Sequence, residues 1–214
     1  MPDLMTPPPA GPPAGAEEPP AGSGQDHGPS AFPPGSPGLL QRLATADRAV
    51  SAVIGGGWPH PRWFVVPLGA ISLTGNYGVV WVVLAAVGAA TGAGGFSGRR
   101  FVYAAGAVLA TEWLTFLVKL AVRRQRPPER DPEAKADIPL PLSPSFPSSH
   151  ASMSTVGALA MSVLYPALWP AFVALAVVLA ASRVYLRVHY LADVLAGVCL
   201  GLVLGLPYIV LVKI

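Results

Sequence analysis

The sequence predicts an all-α, polytopic membrane bundle of about five spans. Three observations point there. Charged residues make up only 12% of the chain, against roughly 25% in an ordinary soluble domain. The mean hydropathy is +0.52. Apolar stretches near the length of about 20 residues that crosses a bilayer recur from residue 77 to residue 212. So few charges argue against a cytosolic globular enzyme. The lone cysteine, Cys199, excludes a disulfide framework or a Cys-rich metal site. It sits in an apolar run and reads as a small packing or lipid-facing residue.

Residues 1–37 form a Pro/Gly/Ala tract with blocks such as Pro7-Pro8-Pro9 and Pro33-Pro34. Too little of it is apolar to offset the entropy of ordering, so it is expected to be a disordered tail. It lacks the basic start and apolar stretch of a signal peptide. It holds four acidic and no basic residues, −4, so the remainder carries +7 within the net +3 of the whole chain.

Residues 38–60 are expected to form an amphipathic interfacial helix and a linker. Leu39, Leu40, Leu43, Ala46, Val50, Val53 and Ile54 recur at helical spacing, with Arg42, Asp47 and Arg48 among them. Gly55-Gly56-Gly57 ends the pattern, and Trp58 and Trp63 suit the membrane interface. Residues 61–214 form the membrane-embedded part. The expected spans are 77–95, 101–121, 150–166, 167–183 and 190–212. The shorter stretch 63–73, broken by Gly75-Asn76, is either a half-helix or an extension of the first span. A polar loop rich in Pro and charge occupies 123–147.

Successive spans reverse direction. The end of span two, the start of span three, the end of span four and the start of span five therefore share one membrane face. Those four places hold nearly every unusual polar residue of the membrane region, whereas Arg99, Arg100 and Lys213 on the other face read as anchors. Span two ends in KLAVRRQRP, with Lys119 and Arg126 seven residues apart and so expected on one helical side; Glu112 lies seven residues earlier. Glu112 reads as a buried partner for a cation, and Arg123 and Arg124 as positive-inside anchors. Span three opens with SFPSSHASMS, in which Ser148 suits an N-cap and His150 falls in the first turn. Free N–H groups and the positive end of the helix dipole make that turn an anion site. Span four leads into span five through SRVYLRVHYLAD. His189 and Asp193 are four apart, a spacing at which a helix brings them together, and a carboxylate can fix an imidazole tautomer. Arg183 offers a two-armed phosphate donor; Arg187 reads as an interface anchor.

Together these segments resemble the type 2 phosphatidic acid phosphatase (PAP2) family, which includes lipid phosphatases and the related vanadium haloperoxidases. Lys119 to Arg126-Pro127 matches its first motif, Pro147-Ser148-Ser149-His150 its second, and Ser182-Arg183, His189 and Asp193 its third. Ser149 stands where the commonest form has glycine. The resemblance implies a haloperoxidase-like helical core around a metal-free phosphate site with no cofactor. His189 would be the nucleophile that forms a phosphohistidine, oriented by Asp193, and His150 the acid toward the leaving oxygen. Lys119, Arg126, Ser148, Ser149 and Arg183 would bind phosphate.

The substrate so implied is a lipid phosphate reached from the bilayer. The small bacterial members that this chain is similar to suggest a polyprenyl-linked phosphate or diphosphate, such as decaprenyl-phosphoryl-phosphoribose. Phosphatidic acid, phosphatidylglycerol phosphate and a lipid phosphotransferase reaction are alternatives from the same fold. A transporter or non-catalytic scaffold is the alternative from another class. Transport needs polar groups near the midplane, reachable from both faces, whereas here they gather at one end of the spans. No nucleic-acid partner is implied. The expected location is the inner (plasma) membrane. Five spans place the N-terminus on the side of the site, and Arg42, Arg48 and Arg62 nearby favour a cytoplasmic face.

Overall fold

The computed structural model describes residues 38–92, 98–131 and 133–213. The tail expected at 1–37 and the last residues of the span expected at 77–95 lie outside the described residues. Every regular element among the described residues is helical. In chain order these are α1 (Leu39–Gly56), α2 (Arg62–Thr74), α3 (Val79–Thr91), α4 (Gly98–Val122), α5 (Pro127–Arg130), α6 (Ser149–Leu164), α7 (Trp169–Tyr185) and α8 (Leu191–Lys213).

α6 is the hub and packs against α8, α7 and α4. Residues all round it are buried, including Ala151, Met153, Val156, Ala160 and Met161. A helix apolar on every side belongs in the interior, and small residues let its neighbours approach closely. Gly197, Gly201 and Gly205 recur every fourth residue of α8 and form a flat stripe. A Cβ on Gly197 would lie 2.5 Å from the Ser148 carbonyl oxygen, and one on Gly201 would lie 2.6 Å from that of Ser152. This is the small-residue packing that drives helix association where lipid supplies no hydrophobic gain. Gly157 of α6 likewise makes room for the indole of Trp81 on α3.

Along α4, Ala104, Val108, Thr111, Thr115 and Lys119 form the buried stripe. The Thr111 and Thr115 hydroxyls donate to the carbonyls four residues back, at 2.7 Å each, so neither hydroxyl is left bare. The opposite side exposes Leu109, Trp113, Phe116 and Leu120. Val173 and Val177 of α7 and Leu195, Leu202, Val203 and Leu206 of α8 are exposed as well. An apolar surface of this extent marks a membrane protein.

Among the described residues, two helical segments, Gly98–Arg130 and Pro166–Tyr185, are long and apolar enough to cross a bilayer. α2 and the helix after it pass the same test only as a pair, bent by 54° at the break. Tyr77 and Gly78 turn the chain there with φ of 52° and 68°, so the stretch 63–73 is a separate half-helix. The expected third and fifth spans correspond to α6 and α8. α6 has only 16 residues, and the apolar part of α8, Leu191–Pro207, is short for a crossing. α1 forms where its periodicity predicts. Leu39, Leu40, Leu43, Val50 and Val53 are exposed, while Ser51 and Gly55 are buried and the helix rests on α7 and α8.

Candidate active site

Lys119 and Arg126 meet, though not on one helical side. α4 ends at Val122, Arg123 turns the chain with a φ of 51°, and Arg126 stands just before α5. Lys119 Nζ donates to the Pro144 carbonyl at 2.7 Å. Arg126 Nε donates to the Ser143 carbonyl at 3.0 Å and Nη1 to the Val188 carbonyl at 2.8 Å. Both cations are almost fully buried. The 123–147 loop is thus a cover that folds over the site and holds its cations by backbone oxygens. Glu112, expected to be a buried partner for a cation, feels the charge of Lys119 but makes no direct ion pair with it. Its Oε2 is buried without a hydrogen-bond partner, in the wall of the same cavity.

Ser148 precedes α6 at the N-cap position, but its hydroxyl makes no capping bond and is buried without a partner. Its amide donates to the Asp193 carbonyl at 2.9 Å, which ties the second motif to the third. His150 Nε2 lies 3.0 Å from the Ser72 carbonyl oxygen. A carbonyl only accepts, so Nε2 carries the proton in that bond and Nδ1 remains for a ligand. The Ser72 hydroxyl accepts from Arg183 Nη1 at 2.6 Å. Ser72 thus binds both an expected acid and an expected phosphate donor. It sits in the unremarkable apolar run of α2, where no spacing singles it out.

His189 lies in the turn before α8, not on the helix, and still reaches Asp193. The Arg183 carbonyl accepts the amides of Val188 and His189, each at 3.1 Å, and so bends the chain back. His189 Nδ1 is 3.5 Å from Asp193 Oδ2, a long contact. Ser145 fills the corner, with its hydroxyl 3.3 Å from His189 Nδ1 and donating to Asp193 Oδ2 at 2.5 Å. The Tyr190 amide donates to the same oxygen at 2.9 Å. Arg124, expected to be a mere anchor, donates to Asp193 Oδ1 at 2.6 Å and to Asp47 Oδ2 at 2.6 Å. Arg187 meets the Gly55 carbonyl at 2.5 Å, away from the site.

Lys119, Arg126, Ser149, His150, Arg183 and His189 line one cavity of about 310 Å³. Ser148 and Asp193 stand behind its wall, and Asp193 acts on the cavity through His189. Three buried cations with few balancing carboxylates make a site for a compact multivalent oxyanion. Burial first, then the charges of Arg126, Arg183 and Lys119, hold the His189 imidazole well below its ordinary range. It is neutral at neutral pH, as a nucleophile must be. Among the described residues, no group of three His, Cys, Asp or Glu side chains is placed to hold a metal ion.

Residues 100–213 match the family model of the PAP2 superfamily. No curated protein matches the chain. The solved structures that share its fold include the following three. A transmembrane PAP2 type phosphatidylglycerolphosphate phosphatase from Bacillus subtilis aligns with a TM-score of 0.65 and 24% identity, covering 80% of this chain and 87% of that one. LpxE from Aquifex aeolicus aligns with a TM-score of 0.60 and 21% identity, over 75% of this chain and 92% of that one. A bacterial vanadium-dependent iodoperoxidase aligns with a TM-score of 0.60 and 17% identity, over 84% of this chain and 51% of that one.

Proposed function

Since the chain belongs to the PAP2 superfamily, we propose that it is a membrane phosphatase that hydrolyses a lipid phosphate without a metal, through a phosphohistidine. The observation that carries this reading is the meeting of two histidines and three cations, from four separate stretches of chain, around one cavity.

The His189 Nε2 lone pair attacks phosphorus, and the bond from phosphorus to the lipid oxygen breaks. His150 enters this step as the imidazolium, which the negative charge of the bound phosphate favours, and gives that oxygen its Nδ1 proton while Nε2–H stays on the Ser72 carbonyl. Water then attacks the phosphoryl group, His150 takes a proton from it, and the P–N bond breaks to release inorganic phosphate. Lys119, Arg126 and Arg183 neutralise the charge on the transferring group, which is most of what phosphoryl transfer needs. Ser148 and the Ser149 backbone add donors at the start of α6. Asp193 holds the ring of His189.

The exposed apolar sides of α4, α7 and α8 keep the cavity beside lipid. That supports an amphiphile whose phosphate enters while its tail stays in the bilayer, and a multi-pass location in the plasma membrane. Polyprenyl-linked phosphates are the favoured substrates, with glycerolipid phosphates next. A panel of polyprenyl, glycerolipid and soluble phosphates, read by phosphate release in detergent, tests this. Release from the lipids alone is expected. Turnover confined to soluble esters, or none, overturns the reading.

A further inference from the structure

The two residues that join α1 to the site, Asp47 and Arg124, have no part in the chemistry above. Arg124 does not line the cavity. Its guanidinium links two carboxylates, through Nη1 to Asp193 Oδ1 and Nη2 to Asp47 Oδ2, at 2.6 Å each. It also lies 4.1 Å above the centre of the Tyr190 ring, which fixes its plane. Asp47 uses its other oxygen to accept the Ala192 amide at 2.8 Å, and Ser51, one turn along α1, accepts the Leu191 amide at 2.8 Å. These are the first two amides of α8, which would otherwise lack partners. One side of α1 therefore caps the helix that carries Asp193 and, through Arg124, pins its carboxylate.

We propose that Asp47 and Arg124 are positioning residues for the reaction: a clamp from the interfacial helix that fixes the Asp193 carboxylate and so sets the angle of the His189 ring and, together with Arg126 on Nε2, its tautomer. Asp193 Oδ2 is then left to Ser145, the Tyr190 amide and His189 Nδ1, while Oδ1 is held by Arg124. Without the clamp the carboxylate can rotate, and Asp193 loses a neutralising charge. The groups facing His189 are Asp193, Arg126, Arg183, Lys119 and His150. Taking the positive charge from Asp193 makes the carboxylate more attractive to a proton on the ring, so the acid limb of activity moves to higher pH. An ion pair that only holds α1 in place would change stability and leave ring and limb unmoved.

The clamp rests on the phosphohistidine reading for its kinetic effect but not for its effect on the ring. The experiment uses the full chain in detergent, uniformly labelled with [15N]histidine, with His189 assigned from the signal lost in His189→Gln. The wild type is expected to show Nδ1 protonated and Nε2 bare. In Arg124→Ala, mixed tautomers and a higher ring pKa are expected, with kcat lower by about 10–100-fold, the usual effect of an orienting partner, and KM unchanged. Arg124→Lys, which keeps the charge but not the fork, should recover part of the rate. Asp47→Asn, nearly isosteric, should shift both readouts in the same direction by less, and it decides the matter should Arg124→Ala not fold. Wild-type ring signals and an unmoved acid limb in folded variants overturn the clamp. A wild type that releases no phosphate overturns the functional reading instead, and the ring measurement still decides the clamp.

Discussion

Arg126 Nη1 lies 3.2 Å from His189 Nε2. A guanidinium has no acceptor atom, so this nitrogen of His189 must present its lone pair. The proton is then on Nδ1, toward Ser145 and Asp193. The resting site thus holds the proposed nucleophile in the tautomer that such a role needs, with the Arg126 guanidinium resting on its Nε2. An incoming phosphoryl oxygen offers that cation a stronger, charged acceptor and uncovers the lone pair in the same movement.

His189→Ala and His150→Ala should each abolish phosphate release from a lipid phosphate in detergent. Loss of the nucleophile should cost at least about 10⁴-fold in kcat. Loss of the acid should cost about 10²–10⁴-fold. Residual activity near the wild-type rate in either variant contradicts the assigned roles.

The acid limb of kcat/KM should lie below the ordinary imidazole range. The His189 pKa is depressed in the folded protein, so the ring stays neutral until the pH falls through that lowered value, and activity is lost there as it protonates. The sign for stability follows. The unfolded chain takes up this proton at higher pH, so the folded state is fully favoured above the ordinary value and loses stability as pH falls below it. A rate profile and a series of melting curves against pH check the two halves.

Activity should persist in excess EDTA, because fixed cations stand where other phosphoryl-transfer enzymes use Mg²⁺. Orthovanadate should inhibit competitively by occupying the phosphate site. Loss of turnover on chelation, restored by added metal, would exclude the proposed mechanism.

Ser145→Ala should reduce kcat by about 10-fold or more with little change in KM. The hydroxyl bridges His189 and Asp193 but is not assigned a contact with substrate. A rise in KM at constant kcat would show that it binds the phosphate instead.

Gly201→Val should destabilise the protein by about 1–3 kcal/mol or more, since even its Cβ would lie 2.6 Å from the Ser152 carbonyl oxygen. A melting temperature equal to the wild type in detergent would mean that α6 and α8 are not packed along this stripe.

Much of the site was legible because its residues come in short local patterns. Lys119 to Arg126-Pro127, Pro147 to His150, and Ser182 to Asp193 each state their spacing within a dozen residues, and the cavity collects them. The geometry inside the patterns was less legible. Helical spacing put Lys119 with Arg126 and His189 with Asp193 on shared faces, whereas Arg126 and His189 both lie off the helices, in turns held by backbone bonds. The supporting residues left no local trace. Arg124 sits in a run that any positive-inside cluster would produce, and its partner Asp47 is 77 residues away. Ser72 meets His150 across 78 residues, and Ser145 lies in a proline-rich loop that composition alone marks as a connector. For the fold, hydropathy found α4, α6, α7 and α8 within a few residues and missed the one-turn α5 inside the 123–147 loop. It could not say whether a 16-residue helix such as α6 crosses the bilayer, because burial in protein and burial in lipid select the same side chains.

The glycine stripe fuses α6 and α8 backbone to backbone, so His150 and Asp193 ride on a single stiff unit. The rest of the cavity rim comes from elsewhere: the bend between α2 and α3, with Leu73, Asn76 and Tyr77, and the loop residues Ile138 to Pro141. The bend presses on α6, where a Cβ on Gly75 would lie 2.8 Å from His150 Cδ2, whereas the loop lies against α2, with Ile138 3.2 Å from a Cβ placed on Gly69. Mutational drift in that loop can therefore reshape the mouth of the cavity while His150 and Asp193 keep their alignment.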